Sequence, residues 1–184
     1  LTHQPISAAL QVCREHNIRA EDVAEILVET TTRGADILSD PSKFAPETKE
    51  TADHSLPYVI AAAVADGNVL PDSFSDEKLK DPRIWNLLAK IKVVADPEID
   101  ALFPKVKRAR VSITTTAGEI HTAQVDHAKG SPQNPMSDDE IVAKFRANAE
   151  GVVDAAGQDE IIAATWAFDQ VSDLREYMNL LVSM

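Results

Sequence analysis

The run from Val59 to Ala65 constrains the fold of this chain more than any other feature, because it contains no polar side chain. A helix that is apolar on every face must be buried on every side, so this run predicts a helix inside the core. Pro57 fits its first turn, where the missing N–H costs nothing, and Gly67 suits the left-handed position after a helix. Either Ser55 or Asp53 can supply the oxygen that caps the first turn.

The start of this helix carries groups that can hold an anion and move a proton. His54 lies between Asp53 and Ser55, at a helix end whose positive dipole stabilises anions, and imidazole titrates near neutral pH. A helix N-terminus lowers the pKa of a nearby histidine, whereas a contact with Asp53 would raise it, and the sequence leaves this balance open. The pattern also fits a polar cap on a core helix, in which His54 is hydrogen-bonded and inert.

Composition narrows the class of protein. The 184 residues suffice for one sizeable domain, and a formal net charge of −12 makes nucleic acid and anionic membrane surfaces poor partners. The one cysteine, Cys13, excludes an internal disulfide framework and an iron–sulfur cluster held by several thiolates, and it fits a reducing cytoplasm. The chain begins with Leu1 rather than methionine, so we expect either a piece of a longer protein or a chain that has a disordered start.

Alternating apolar and polar residues predict strands at 24–32, 105–115 and 119–126, with a further short strand at 91–94. The Ala117-Gly118 turn joins two of them into a hairpin. Residues 33–46 lack periodicity and predict a loop, and Asp96-Pro97 predicts a turn. The fold class is therefore α+β, with a small, mainly antiparallel sheet and flanking helices. A basic run at the start of the hairpin predicts a solvated strand face: Lys105, Lys107, Arg108 and Arg110.

The last third of the chain predicts only helices. Ser137-Asp138-Asp139-Glu140 is a capping box, which is a strong helix-start signal. Apolar spacing continues to residue 181 without a strand pattern after 126, and it assigns four residues to the buried side of the first helix: Ile141, Phe145, Val152 and Val153. The predicted organisation is an α+β domain over 1–130 and an all-helical segment over 131–184.

Several motifs resemble those of a known family. The segment Glu50–Tyr58, ETADHSLPY, resembles the signature of the MmgE/PrpD family, the group of 2-methylcitrate dehydratases. The resemblance covers essentially the whole chain, but it corresponds only to the carboxy-terminal part of a much longer family architecture. Four further segments resemble the family in the expected order: Thr2–Ile6 (THQPI), Gly130–Met136 (GSPQNPM) with Lys144-Phe145, Trp166–Asp169 (WAFD) and Asp173–Arg175 (DLR).

The resemblance implies a cytoplasmic lyase without metal or other cofactor. It implies a hydro-lyase acting on a small tricarboxylate such as 2-methylcitrate, in propionate catabolism, with cis-aconitate decarboxylase and iminodisuccinate epimerase as relatives. The α+β part corresponds to the family's lid domain, and the closing helices are expected to pack on an N-terminal helical domain that this chain lacks, in a homo-oligomer. Because the family's active site lies between these domains, the chain is expected to form one wall and to be inactive alone.

The candidate proton-transfer residues are His54 and His3. Thr2-His3-Gln4-Pro5 repeats the order of polar groups followed by proline seen at 53–57, so two helix N-termini bearing histidine could converge on one anionic ligand. His16, His121 and His127 are predicted to be structural or surface residues. A non-catalytic lid or interaction module is the alternative function. The predicted substrate-binding residues are Thr2, Lys43, Lys49, Asp53 and Ser55.

Overall fold

A computed structural model describes residues 1–182 of the chain and divides it into two compact units, Leu1–Pro135 and Met136–Met184. The first unit contains the whole sheet, and the second is helical. The helices and strands of the first unit are α1 (His3–His16), β1 (Val23–Thr30), α2 (Thr32–Leu38), α3 (Lys49–Asp53), α4 (Leu56–Asp66), α5 (Pro82–Leu88), β2 (Ile91–Ala95), α6 (Pro97–Leu102), β3 (Ala109–Thr115) and β4 (Ile120–Val125).

The sheet has four strands in the order β2-β1-β3-β4. The α+β class and all four strand predictions are confirmed, and the sheet is mainly antiparallel with one parallel pairing, that of β1 with β2. The other two pairings are antiparallel, and the predicted hairpin joins β3 to β4. The residues predicted to share the inner face of β1, Ile26, Val28 and Thr30, are all buried.

Helix α4 is the buried centre of the first unit, as the sequence predicts. Every residue from Leu56 to Val64 is buried, because α4 packs against α1 and β2 and also against α5. Gly67 ends the helix with a φ of 73°, in the left-handed region that favours glycine. No helix within residues 1–182 has both the length and the apolar character needed to cross a membrane.

The sequence prediction misses two short helices, α2 and α6, which it assigns to a loop and a turn. The predicted loop at 33–46 contains α2, capped by the Thr31 hydroxyl oxygen, which accepts from the Gly34 N–H at 3.1 Å. Asp96-Pro97 does not simply turn the chain. Asp96 accepts from the backbone N–H groups of the first turn of α6, so the pair begins a helix. A side-chain cap stabilises even a one- or two-turn helix that is too short to show apolar periodicity.

The predicted strand at 105–115 also starts later than expected. Val106 donates its N–H to the Leu102 oxygen at 3.0 Å and so closes a turn that follows α6. Strand pairing begins only at Ala109, which lies opposite Val125. Residues 105–108 therefore lie before the sheet, and this displacement places their side chains beside the end of β4.

The second unit consists of α7 (Asp138–Ala149), α8 (Ala155–Trp166) and α9 (Leu174–Val182). The predicted capping box is confirmed, since the Ser137 hydroxyl accepts from the Glu140 N–H and the Glu140 carboxylate accepts from the Ser137 N–H. Gly157 lies inside the first turn of α8, where its N–H donates to Asp154 at 2.8 Å. Among described residues of this unit, the buried apolar side chains are Ala149 and Ile161.

Much of the apolar surface of the second unit is exposed. Ile141 and Val152, predicted to be buried, are 45% and 69% exposed, because neighbouring helices of the unit do not cover them. Such an exposed set of large apolar side chains is typical of an interaction surface. Its other members are Trp166, Phe168, Leu174, Met178 and Val182.

Candidate active site

His54 lies between two helices rather than at the immediate start of α4. Thr48 caps the five-residue helix α3 by accepting from the Thr51 N–H, and His54 follows α3 as its C-cap. Ser55 then caps α4 by accepting from the Tyr58 N–H at 3.0 Å. The choice between Ser55 and Asp53 as the cap of α4 is thus resolved in favour of Ser55. Consequently the histidine stands nearest to the negative end of α3.

The imidazole of His54 is held through one nitrogen. Its Nδ1 lies 3.0 Å from the backbone oxygen of Glu50 and also contacts the carboxylate of Asp53. Both partners are acceptors, so Nδ1 carries a hydrogen and Nε2 is the atom left to gain or lose a proton. The carbonyl of Glu50, and after it the hydrogen bond and charge of Asp53, raise the pKa of His54 above its ordinary value.

The sequence leaves open whether the α4 N-terminus lowers the pKa of His54 or Asp53 raises it, and in the structure the pKa is raised. Two acceptors at Nδ1 stabilise the imidazolium directly. The side chain of His54 is 72% exposed, so its charge is also hydrated. A histidine with a raised pKa is charged at neutral pH to a larger degree and is better suited to donate a proton than to accept one.

The hydroxyl of Ser55 is fully engaged inside the protein. Ser55 is completely buried, and its O–H donates to the backbone oxygen of Lys43 at 2.6 Å while its oxygen accepts from Tyr58. Its one hydrogen is therefore used, and the side chain fixes the loop before α3 to the start of α4. This geometry gives Ser55 a positioning role, and the residues that it positions are His54 and Asp53.

A cleft of about 410 Å³ brings Thr2, His3 and Asp53 together, and we call it the histidine cleft. The first two residues come from the start of α1 and Asp53 from the end of α3, so segments far apart in the sequence meet there. Asp53 thus contacts the ring of His54 on one side and lines the cleft on the other. Side chains that the sequence analysis did not assign to the site also line the cleft: Ile6, Asn68, Val69, Phe74 and Lys129.

The remaining candidates lie outside the lining of the histidine cleft. The ring of His54 does not line it, and neither does Lys43 or Lys49. Lys43 lies in a short 3-10 turn, Pro41–Phe44, close enough to His54 for its charge to oppose the raised pKa of the histidine. Lys49 is the exposed first residue of α3. Of the predicted site residues, Thr2, His3 and Asp53 thus line the cleft, whereas Lys43 and Lys49 lie outside its lining.

A second cleft, of about 390 Å³, adjoins the first because His3 lines both. Lys105 and Lys107, predicted to lie on a solvated strand face, line this second cleft instead, together with His127 and Ser131. We call it the lysine cleft. The other two residues of the basic run make ion pairs: Arg108 with Asp126, and Arg110 with Glu29 and Asp96. The hairpin register could have predicted this placement. Because Ala109 pairs with Val125, residues 105–107 lie near residues 126–131.

Two other histidines form a pair that the sequence did not predict. The rings of His16 on α1 and His121 on β4 stack with centroids 3.9 Å apart, and His121 faces Glu119 at 3.5 Å. This contact packs the end of α1 on the sheet and lies apart from both clefts. Within residues 1–182, no group of three or more His, Cys, Asp or Glu side chains is arranged to hold a metal ion.

The sequence model of one protein family, that of the MmgE/PrpD C-terminal domain, matches this chain. That model matches residues 1–170, so the chain belongs to the MmgE/PrpD family and represents its C-terminal domain. The family resemblance seen in the sequence motifs is thereby confirmed.

The proteins to which this chain is similar include cis-aconitate decarboxylases. The mouse enzyme is 27% identical over 136 residues, which cover 74% of this chain and 28% of the relative, and the human enzyme is 26% identical over the same share. The enzyme of Aspergillus terreus strain NIH 2624 is 23% identical over 98% of this chain and 38% of the relative. The chain thus spans less than two fifths of the length of these relatives and belongs to a family of lyase-type enzymes.

Proposed function

We propose that this chain forms one wall of the active site of a lyase that acts on a small tricarboxylate. The observation that carries the proposal is Asp53, which lines the histidine cleft beside His3 and also contacts Nδ1 of His54. One carboxylate thus contacts the imidazole of His54 and lines the same cleft as His3. The other wall would come from an N-terminal helical domain, which is consistent with the small share of each relative that the chain covers.

The two histidines would divide the proton transfers. Loss of CO2 from a tricarboxylate leaves an electron pair on carbon, which must take a proton, and dehydration removes a C–H proton and protonates the departing hydroxyl. Both reactions need an acid within hydrogen-bond reach of the substrate. His54 is suited to this role because its Nδ1 is fixed and the Glu50 carbonyl and Asp53 raise its pKa, which favours the protonated ring. His3, in the cleft, would then exchange the proton at the reacting carbon.

Decarboxylation of cis-aconitate is the first reaction to test, because the named relatives are cis-aconitate decarboxylases. Dehydration of 2-methylcitrate, in propionate catabolism, is the second, because the ETADHSLPY segment resembles the signature of those dehydratases. Both substrates are tricarboxylates whose reacting carbons lie next to carboxylates, so one arrangement of histidines serves either. Epimerisation of iminodisuccinate is a third candidate reaction, because it also requires proton transfer at a carbon next to a carboxylate.

The apolar surface of the second unit would be covered in the complete enzyme. Side chains such as Trp166 and Leu174, which are 52% and 58% exposed, would pack on the N-terminal helical domain or on a second copy in a homo-oligomer. Until they are covered, they would favour self-association of the separate chain.

The proposal is tested by assaying the full-length protein that carries this segment with cis-aconitate and with 2-methylcitrate, and by following the products by mass spectrometry. We expect one of the two to be consumed at an enzymatic rate and the 184-residue chain alone to be inactive. Consumption of neither substrate would favour the alternative function, a non-catalytic lid or interaction module. An active isolated chain would contradict the claim that the chain forms only one wall.

A further inference from the structure

We infer that the lysine cleft binds the carboxylate groups of a small polycarboxylate. The choice of carboxylate over other anions rests on the proposed function, but the cleft itself is defined by its own residues. Lys105 and Lys107 line it with His127 and Ser131, in a volume of about 390 Å³. This volume is sufficient for a molecule of the size of a tricarboxylate.

The charge balance of the cleft is positive although the chain as a whole carries −12. Among the described residues, Lys105 and Lys107 form no ion pair with a carboxylate, so both charges remain available. The acidic residue of the lining, Asp126, is already engaged. Arg108 donates to both of its oxygens at 2.7 Å and lowers the pKa of Asp126. A cleft lined by uncompensated charge of one sign concentrates oppositely charged solutes.

A buried hydroxyl in the cleft lacks a partner. The Oγ of Ser131 is shielded from solvent and makes no hydrogen bond within the described part of the chain. Buried polar atoms nearly always have a partner, so an orphaned hydroxyl indicates a place for a bound acceptor. A carboxylate oxygen accepts from a hydroxyl and from lysine ammonium groups at the same time.

The loop that carries Ser131 is held in a defined shape. Ser131 donates its N–H to the Ala128 oxygen at 3.1 Å and accepts from the Asn134 N–H at 3.0 Å. The side chain of Asn134 donates to the His127 oxygen at 3.0 Å. The loop that presents the Ser131 hydroxyl is therefore already formed before binding, which lowers the entropy cost of forming the complex.

The position of the cleft indicates how it would serve the enzyme. His3 lies on its border with the histidine cleft, so a ligand with several carboxylates could place one at Lys105 and Lys107 while its reacting carbon lies near His3. The lysine cleft would then hold the carboxylates that do not react.

The test is a titration of the 184-residue chain with tricarballylate, a non-reacting tricarboxylate, followed by NMR. We expect the amide signals of 105–107 and 126–131 to shift, and the affinity to fall as salt rises. Lys105→Met with Lys107→Met should weaken binding about tenfold or more. Lys80→Met removes one positive charge from an exposed position outside the cleft and should leave the affinity nearly unchanged. Ser131→Ala should weaken binding a few-fold.

Three results would overturn the inference: no shifts in the wild-type chain, shifts that persist in the double lysine variant, or tighter binding of inorganic phosphate than of tricarballylate. Shifts confined to Asp53, Asn68 and Phe74 would place the ligand in the histidine cleft and would also contradict it. Because the titration needs no turnover, these results are independent of the outcome of the activity assay. A well-dispersed spectrum of the double variant controls for folding.

Discussion

The Nδ1 atom of His54 lies 3.0 Å from the backbone oxygen of Glu50, four residues earlier in the chain. This contact lies across the last turn of α3 and fixes the ring relative to the backbone. Asp53 contacts the same nitrogen, so the ring has a defined tautomer and presents Nε2 to solvent. The orientation of the candidate acid is thus set by α3, a helix of only five residues.

The first prediction concerns the pKa of His54, which NMR titration of its ring signals measures. It should lie above the ordinary value of 6.5, because the Glu50 carbonyl and then Asp53 stabilise the charged ring. Asp53→Asn should lower it, since the variant removes the carboxylate but leaves the carbonyl in place. Glu50→Gln is the matched control, because only the backbone oxygen of Glu50 contacts the ring. A His54 pKa unaffected by Asp53→Asn would contradict the structure.

The second prediction concerns stability and pH. A histidine whose pKa is raised on folding stabilises the folded state in its charged form. This contribution should be complete below pH 6.5, the ordinary pKa, and should be lost as pH rises through the higher pKa of the folded state. The free energies of unfolding of the wild type and His54→Gln should therefore differ more at acidic than at alkaline pH. Urea titrations across this range measure the difference, and a difference that grows with pH would contradict the sign.

The third prediction concerns Ser55. Ser55→Ala removes the cap of α4 and leaves the Lys43 oxygen without its donor, so it should lower the free energy of unfolding by about 1–3 kcal/mol. Ser42→Ala is the control, because its exposed hydroxyl donates only to the neighbouring Asp40, and it should change stability by less than about 0.5 kcal/mol. Urea denaturation compares the two, and equal effects would show that Ser55 does not fix the loop.

The fourth prediction concerns the reactivity of Cys13. Burial raises the pKa of its thiol to about 11 from 9.0, against a smaller opposing effect of Arg14. Because the thiolate is the reactive form, Cys13 of the folded chain should react with a disulfide reagent at pH 8 about a hundredfold more slowly than in urea. Equal rates in the two states would show that the thiol is not buried.

The parts of this fold that could be predicted from sequence are those with long or repeated signals. The apolar run of α4 and Gly67 after it define a buried helix, and the Ala117-Gly118 turn defines the hairpin. Helices α2 and α3 could not be predicted from periodicity, since they have seven and five residues. Their evidence is a single capping side chain each, Thr31 and Thr48, which in a sequence is not distinguished from an ordinary loop residue.

The candidate site could be predicted only as a set of residue types. Periodicity does not reveal the five-residue helix α3, so the sequence places His54 at the positive end of α4. The direction of the shift in the pKa of His54 then stays open. The lysine cleft depends on the exact start of strand pairing at Ala109 and Val125, and a shift of a few residues would place Lys107 on the sheet. Clefts lined by distant segments, such as the one lined by His3 and by Asp53 at the end of α3, depend on the packing of α1 on α4.

The central claim is that His3 and His54 transfer protons in one lyase site, and turnover of the full-length protein with its preferred tricarboxylate tests it most directly. His3→Ala and His54→Ala should each lower kcat by about a hundredfold or more. His16→Gln removes a ring that stacks on His121 outside both clefts, and it should leave kcat within about twofold because it touches neither cleft. Unchanged kcat in both alanine variants, with folding intact, would contradict the account.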